Sequence, residues 1–301
     1  MRILLTGKNG QVGWELQRTL STLGSVHAVD IEDVDLTDTA QVQVLVRGVS
    51  PDLIVHPAAY TAVDKAESQE GLATEINAVA PAVLAKEARL LGAAIISYST
   101  DYVFDGSASV PYTEEMPPVP LNAYGRSKLA GDRALAASGA PYLIFRTSWV
   151  YAARGANFVR TMLKLGAKRE ELSIVADQIG APTSARSLGE ATAQIVAILK
   201  ARSERESVPL ANVIQSVAGV YNMTCGGQTT WFGFAEAIFE IFQPMLGRKP
   251  KLERISAADY PVAAVRPSYS LLSNEKLRRT FAIEMPEWRD ALRLVADELL
   301  Q

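Results

Sequence analysis

The chain has 301 residues, with 30 lysines and arginines against 33 acidic residues, a net charge of −3 and 48% hydrophobic residues. That length supports a sizeable core and exceeds a usual single domain, and the near-neutral balance with scattered cations argues against nucleic acid or an anionic membrane as partner. A single cysteine, Cys225, excludes an internal disulfide and has no metal-ligand spacing, so a reducing cytoplasm is the expected compartment.

Residues 2–6 form a short apolar run read as a buried strand, with no charged leader before it, and no run reaches the length of a membrane span. Gly7, Gly10 and Gly13 then open a segment, 11–23, in which Val12, Leu16 and Leu20 recur at helical spacing. A glycine turn between a strand and a helix is the setting for a dinucleotide. Gly7 would allow the tight turn, Gly10 would let backbone amides approach a pyrophosphate, and Gly13 would let the helix pack close to the strand. The GxxGxxG spacing differs from the GxGxxG of medium-chain dehydrogenases. A second strand, 26–30, ends at Asp30, whose carboxylate can accept bonds from the adenosine ribose hydroxyls.

A helix over 39–48 and a strand over 53–56 follow, and the strand runs into Pro57, Ala58, Ala59, Tyr60 and Thr61, mostly small residues that would let a cofactor cross the sheet edge. His56 reads as a packed or cofactor-side residue and His27 as structural. Next come a helix over 71–91, a strand over 93–98 leading into Ser99 and Thr100, a helix over 122–138 and a strand over 142–146. This alternation predicts an α/β fold, a doubly wound parallel sheet of Rossmann type. Farther on, helices are expected over 157–167 and 187–203, the second closing in a polar surface connection, 202–206. The stretches 149–178 and about 219–301, rich in aromatics and prolines, read as a smaller interleaved substrate domain. Residues 1–148 with about 179–218 would form the nucleotide domain.

The chemistry concentrates at Thr100, Tyr124 and Lys128. Tyr124 and Lys128, four apart on one helix, project from the same face. Free tyrosine titrates at about 10, and a neighbouring ammonium favours the phenolate, so the pair predicts a tuned proton donor for a carbonyl.

Together the glycine turn, the Ser99-Thr100 strand end and the Tyr124/Lys128 pair resemble the extended short-chain dehydrogenases/reductases. The stretches GKNGQVGWELQ, HPAAYTAVDKAE, YSTDYVFDG, PLNAYGRSKLAGD, FRTSWVYA and DQIGAPT, with Arg266-Pro267, resemble the dTDP-4-dehydrorhamnose reductase family within them. The resemblance implies that Gly10, Gln11 and Val12 hold the pyrophosphate, Asp30 the adenosine ribose, and Asp35 and Leu36 the adenine. Ala59, Tyr60, Thr61 and Tyr98 would line the cofactor, and Lys128 would bind the nicotinamide ribose. Thr100, Asp101 and Tyr102 would meet the sugar, and Trp149 would cover its face, the alternative for Trp149 being core packing. Arg266 would neutralise the substrate diphosphate or form a surface ion pair.

The implied activity is reduction of the C4 ketone of dTDP-4-dehydro-L-rhamnose by NADPH or NADH. Asp30 favours NADH, and Lys8 could offset its repulsion of a 2′-phosphate, so use of both is expected. Some relatives hold magnesium at a subunit contact, but Arg186 and Arg289 here do not favour a divalent cation. The protein is expected to act as a monomer or homodimer. The rival functions are a non-catalytic NADP-binding regulator resembling the β subunit of methionine adenosyltransferase, and a nucleotide-sugar epimerase or dehydratase.

Overall fold

A computed structural model describes residues 1–300. In chain order the first half contains β1 Arg2–Thr6, α1 Gln11–Thr19, β2 Ser25–Val29, α2 Thr39–Val49, β3 Leu53–His56, α3 Val63–Ala66, α4 Glu70–Thr74, α5 Ala80–Leu91, β4 Ala94–Thr100, α6 Ala123–Ala137 and β5 Tyr142–Thr147. Then follow β6 Val150–Tyr151, α7 Phe158–Gly166, β7 Glu171–Val175, β8 Ile179–Gly180, β9 Thr183–Ser184, α8 Ala185–Glu206, α9 Leu210–Gln215 and β10 Gly219–Asn222. The last stretch holds β11 Thr229–Thr230, α10 Trp231–Ile241, α11 Gln243–Leu246, β12 Lys251–Ile255, α12 Glu275–Phe281 and α13 Trp288–Leu300.

Six strands form one parallel sheet in the order β10-β5-β4-β3-β1-β2. β3 and β4 are buried along their whole length, as expected of central strands covered by helices on both faces. Strand order reverses between β1 and β3, and the carboxyl ends of strands at such a reversal leave a crevice for a ligand. The expected doubly wound sheet is therefore present. It carries a sixth strand, β10, that lies outside the stretch assigned to it by sequence.

Two apolar cores explain that difference. One packs Ile3, Leu5, Leu16, Val55, Ile96 and Phe145 with Leu188, Ile195, Ile214 and Tyr221, and it also takes in Leu277, Phe281, Ile283 and Met285. Residues 219–222 and 277–285 thus belong to the sheet layer, because their apolar side chains are buried against it. The second core gathers Tyr151, Val159, Met162, Leu172 and Ile174 with Phe232, Phe234, Phe239, Trp288, Leu292 and Val295. Its elements come from both sides of the long α8, joined by the parallel pair β7 and β12.

Two helices differ from expectation. The helix read over 71–91 is α4 and α5 joined by a π turn, Glu75–Val79. Pro81 has no amide to offer the carbonyl four residues back, which is that of Asn77. Asn77 turns its side chain to Tyr60, whose amide donates to Oδ1 at 2.8 Å and whose carbonyl accepts from Nδ2 at 3.0 Å. At the other site the polar stretch 202–206 is the last turn of α8 rather than a connection. Ion pairs Lys200–Glu204 and Arg202–Glu206 at i,i+4 support it, and Ser207, with φ 53°, ends it.

Candidate active site

The crevice is a cavity of about 580 Å³ over the carboxyl ends of β1, β2 and β3, a size suited to a cofactor. Gly7 turns with φ 66° at the end of β1, in the left-handed region that favours glycine. A Cβ at Gly13 would stand 1.9 Å from the Gly7 carbonyl oxygen, so only glycine lets α1 sit this close to the strand. Gly7, Gly10, Gln11, Val12 and Gly13 line the cavity at the N-terminus of α1, where unpaired amides and the helix dipole favour a pyrophosphate. Asp30, Asp35 and Leu36 line one end, while Ala59, Thr61, Tyr98, Tyr124 and Lys128 line the rest. The cavity's size, its glycine cradle and its acidic far end fit a nicotinamide dinucleotide.

Tyr60 does not line it. Asn77 fixes its backbone and Gln69 accepts from its phenol at 2.7 Å, so the ring turns toward Ala66, Ala73 and Ala123. Lys8 is likewise occupied, with its ammonium 2.5 Å from Asp33 and 3.5 Å from Glu32. Asp30 Oδ2 accepts the amide of Asn9 at 2.8 Å, which fixes the carboxylate at the cavity edge.

α6 starts where Asn122 caps it, accepting from the Gly125 amide at 2.8 Å, and this start aims Tyr124 and Lys128 at the cavity. Lys128 is 5% exposed, and among the described residues no side chain accepts a hydrogen bond from its ammonium. Tyr124 departs from the expected tuning. Burial pushes its phenol well above the usual range, the Thr100 hydroxyl pulls it back, and the charges of Asp101, Tyr102 and Asp132 push it up again. Lys128 is not among the largest of these influences, and desolvation of the phenol dominates.

Thr100 ends β4 and its hydroxyl donates to Asp101 Oδ1 at 3.1 Å, while Tyr102 N donates to Thr100 Oγ1 at 3.2 Å. Asp101 is buried. Its Oδ2 has no partner among the described residues, and burial pushes the carboxyl up to about 6. Tyr102 stands edge-on to Tyr124 with centroids 5.7 Å apart, its phenol pushed up to about 12, chiefly by burial.

Arg266 lies beside Tyr102 and is engaged. Its two Nη atoms donate to Asp64 Oδ1 and Oδ2 at 3.1 and 2.7 Å, so a diphosphate would have to compete with a two-point ion pair. Trp149 has φ 47°, a strained value for a bulky residue. Its indole stacks on Trp231, with centroids 3.7 Å apart and planes 9° apart, so Trp231 covers one face of it. Arg186 pairs with Glu190 and Glu298, and Arg289 with Glu240. Among the described residues no group of three or more His, Cys, Asp or Glu side chains is arranged to hold a metal. Nor is any helix long and apolar enough to cross a membrane.

Sequence reasoning missed Asp64, Asn77, Asp132, Gln178 and Trp231. Each acts through a contact 17 or more residues away in the chain, Asp132 through Ser99, 33 residues away, and no local pattern marks such partners. Asp132 was within sight, one helical turn beyond Lys128.

A family model described as the RmlD substrate binding domain matches residues 1–301. The chain is similar to the dTDP-4-dehydrorhamnose reductase of Burkholderia thailandensis, 47% identical over 304 residues, covering 100% of this chain and 99% of that protein. It is 42% identical to the Escherichia coli K12 reductase of the same name, over 99% of this chain and 98% of that one. Among solved structures, a dTDP-4-dehydrorhamnose reductase from Bacillus anthracis in complex with NADP aligns with a TM-score of 0.86 and 37% identity over 99% of both chains. A UDP-glucose 4-epimerase from Thermus thermophilus, 20% identical with a TM-score of 0.79 over 100% of this chain and 99% of that one, shares the fold. This chain belongs to the family of the dTDP-4-dehydrorhamnose reductases.

Proposed function

We propose that the chain reduces the C4 ketone of dTDP-4-dehydro-L-rhamnose to dTDP-L-rhamnose. The observation that carries this reading is the meeting, at one cavity edge, of a partly buried phenol held protonated with an ammonium that has no side-chain acceptor among the described residues. The relatives that match along the full length support it. NADPH or NADH, when bound, supplies the hydride.

The residues of this chain then have distinct tasks. The α1 amides and Gly10, Gln11 and Val12 bind the pyrophosphate. Asp30 accepts from the adenosine ribose, with Asp35 and Leu36 beside the base. Lys128, without a side-chain acceptor among the described residues, donates to the second ribose. Thr100 orients the carbonyl oxygen, and Tyr124, kept protonated by burial, gives its proton to the oxygen as negative charge develops there. Asp101 and Tyr102 bound the sugar pocket, and Trp149, backed by Trp231, offers an apolar surface to the deoxyhexose. Arg266 serves the diphosphate by exchanging Asp64 for it. The setting is a reducing cytoplasm, in keeping with the buried free Cys225, and the protein works as a monomer or homodimer.

Incubation with dTDP-4-dehydro-L-rhamnose and NADPH, followed by product NMR, tests this. Stoichiometric loss of NADPH with appearance of the C4 alcohol is expected. Sugar conversion without net cofactor loss would indicate an epimerase or dehydratase instead, and nucleotide binding without turnover would indicate a regulatory protein.

A further inference from the structure

Behind Lys128 lies a buried charge cluster that the proposed chemistry does not use. Asp132 follows Lys128 by one turn of α6, so the two side chains leave the same helix face. Lys128 is 5% exposed, Asp132 6% and Arg146 4%. Asp132 Oδ2 accepts from Ser99 Oγ at 2.9 Å and from Arg146 Nε at 3.3 Å, tying α6 to β4 and β5 beneath the cavity. Ionised groups this deep are costly unless paired, so the arrangement specifies where the negative charge sits.

The other groups facing Lys128 do not supply that charge. His56 on β3 is held neutral, its imidazolium pulled down to about 3 by burial and then by the positive charge of Lys128 itself. Tyr98 on β4 is kept protonated by burial. Tyr124 stays protonated on the same helix, Asp101 and Tyr102 lie beyond it, and Arg146 on β5 is a cation. Glu75 on the π turn is exposed, and Glu70 on α4 pairs with Arg126 at the surface. Burial lowers the affinity of Lys128 for its proton, and Asp132 is the group that raises it. Burial in turn pushes the Asp132 carboxyl upward, and the charges of Arg146 and Lys128, with the Ser99 and Arg146 hydrogen bonds, draw it back toward the carboxylate.

We propose that Asp132 is a positioning residue for the nucleotide site: Ser99 and Arg146 hold its carboxylate so that Lys128 meets the cavity as an ammonium. The inference rests on reading the cavity as a nicotinamide nucleotide site. It makes Asp132 act through Lys128, without touching substrate or cofactor.

NADPH fluorescence titrations of the whole chain between about pH 6 and about pH 10 test it without turnover. Wild type is expected to lose affinity as Lys128 deprotonates, and Asp132→Asn to lose it about one pH unit lower. Asp132→Glu restores the wild-type midpoint. If Asp132→Asn does not fold with Arg146 left unpaired, Asp132→Asn combined with Arg146→Met removes both buried charges and is expected to show the same shift. A purely structural role would lower Tm and leave the midpoint of binding in place, and that result overturns the proposal alone. Absence of NADPH binding by the wild-type chain would overturn the nucleotide reading and this inference together.

Discussion

At the N-terminus of α1 the cavity is walled by peptide groups that glycines leave bare, whereas on α6 it is walled by side chains packed among polar and charged groups from β4, β5 and the turn after β4. The first region needs only the absence of Cβ atoms and a helix start, which a stretch of thirteen residues can encode by itself. The second needs groups that meet only after the sheet has formed, so its electrostatics belong to the fold. The burial that raises Tyr124 and Asp101 and lowers His56 and Lys128 is a property of that second region alone.

The sharpest way to separate the two regions is to remove one hydroxyl. Tyr124→Phe is expected to lower kcat by about a hundred- to ten-thousand-fold, the range for a lost general acid, while NADPH affinity stays within a few-fold of wild type. Steady-state kinetics beside a binding titration checks this, and near wild-type turnover would remove Tyr124 from the mechanism. Gly13→Ala probes the opposite region. Its methyl would meet the Gly7 carbonyl at 1.9 Å, and the strain should cost about 1–3 kcal/mol, weakening NADPH binding by about ten- to a hundredfold. In this variant kcat at saturating cofactor should change little, the reverse of Tyr124→Phe.

How much of this was legible in the sequence follows the same division. The glycine turn of Gly7, Gly10 and Gly13 and the strand end beside Asp30 could be located from spacing, because backbone shape and strand ends are local matters. Tyr124 and Lys128 could be paired from helical periodicity, but the direction of the Tyr124 shift could not, since desolvation depends on what α6 packs against. Tyr60 lies off the cavity for a similar reason: Asn77, on a π turn that periodicity reads as ordinary helix, fixes its backbone, and Gln69 holds its phenol. The sheet's sixth strand was hidden because Gly219–Asn222 is too short to stand out beside the aromatic stretches that flank it.

Asp101 turns the comparison into a pH dependence. Its folded carboxyl titrates at about 6, above the ordinary carboxylate range, so the folded state binds this proton more tightly than the unfolded chain. Stability from this group is therefore present at low pH and is lost as pH rises from about 4 to about 6. Asp101→Asn should remove that loss, stabilising the fold by up to about 3 kcal/mol at about pH 8 and by little at about pH 4. Urea unfolding at the two pH values measures it. Equal effects at both would mean that Asp101 is not strained by its ionisation.

The smallest effect concerns cofactor choice, at the far end of the backbone-built region. Asp30 sits at the cavity edge with its carboxylate fixed by the Asn9 amide, and in the proposed reading its charge faces the ribose 2′ position. Lys8, which could have answered a 2′-phosphate, is already bound between Asp33 and Glu32. Its substitution therefore does more by baring two carboxylates than by removing a phosphate ligand. Both Lys8→Ala and Asp30→Ala should move the NADPH to NADH ratio of kcat/KM, the first toward NADH and the second, more strongly, toward NADPH. Because these groups are partly solvated and screened, each shift should be about tenfold or less. The salt dependence sharpens the test: a ratio set by charge flattens as ionic strength rises, and a ratio indifferent to salt and to both substitutions would mean that shape, not charge, reads the ribose at this end of the cavity.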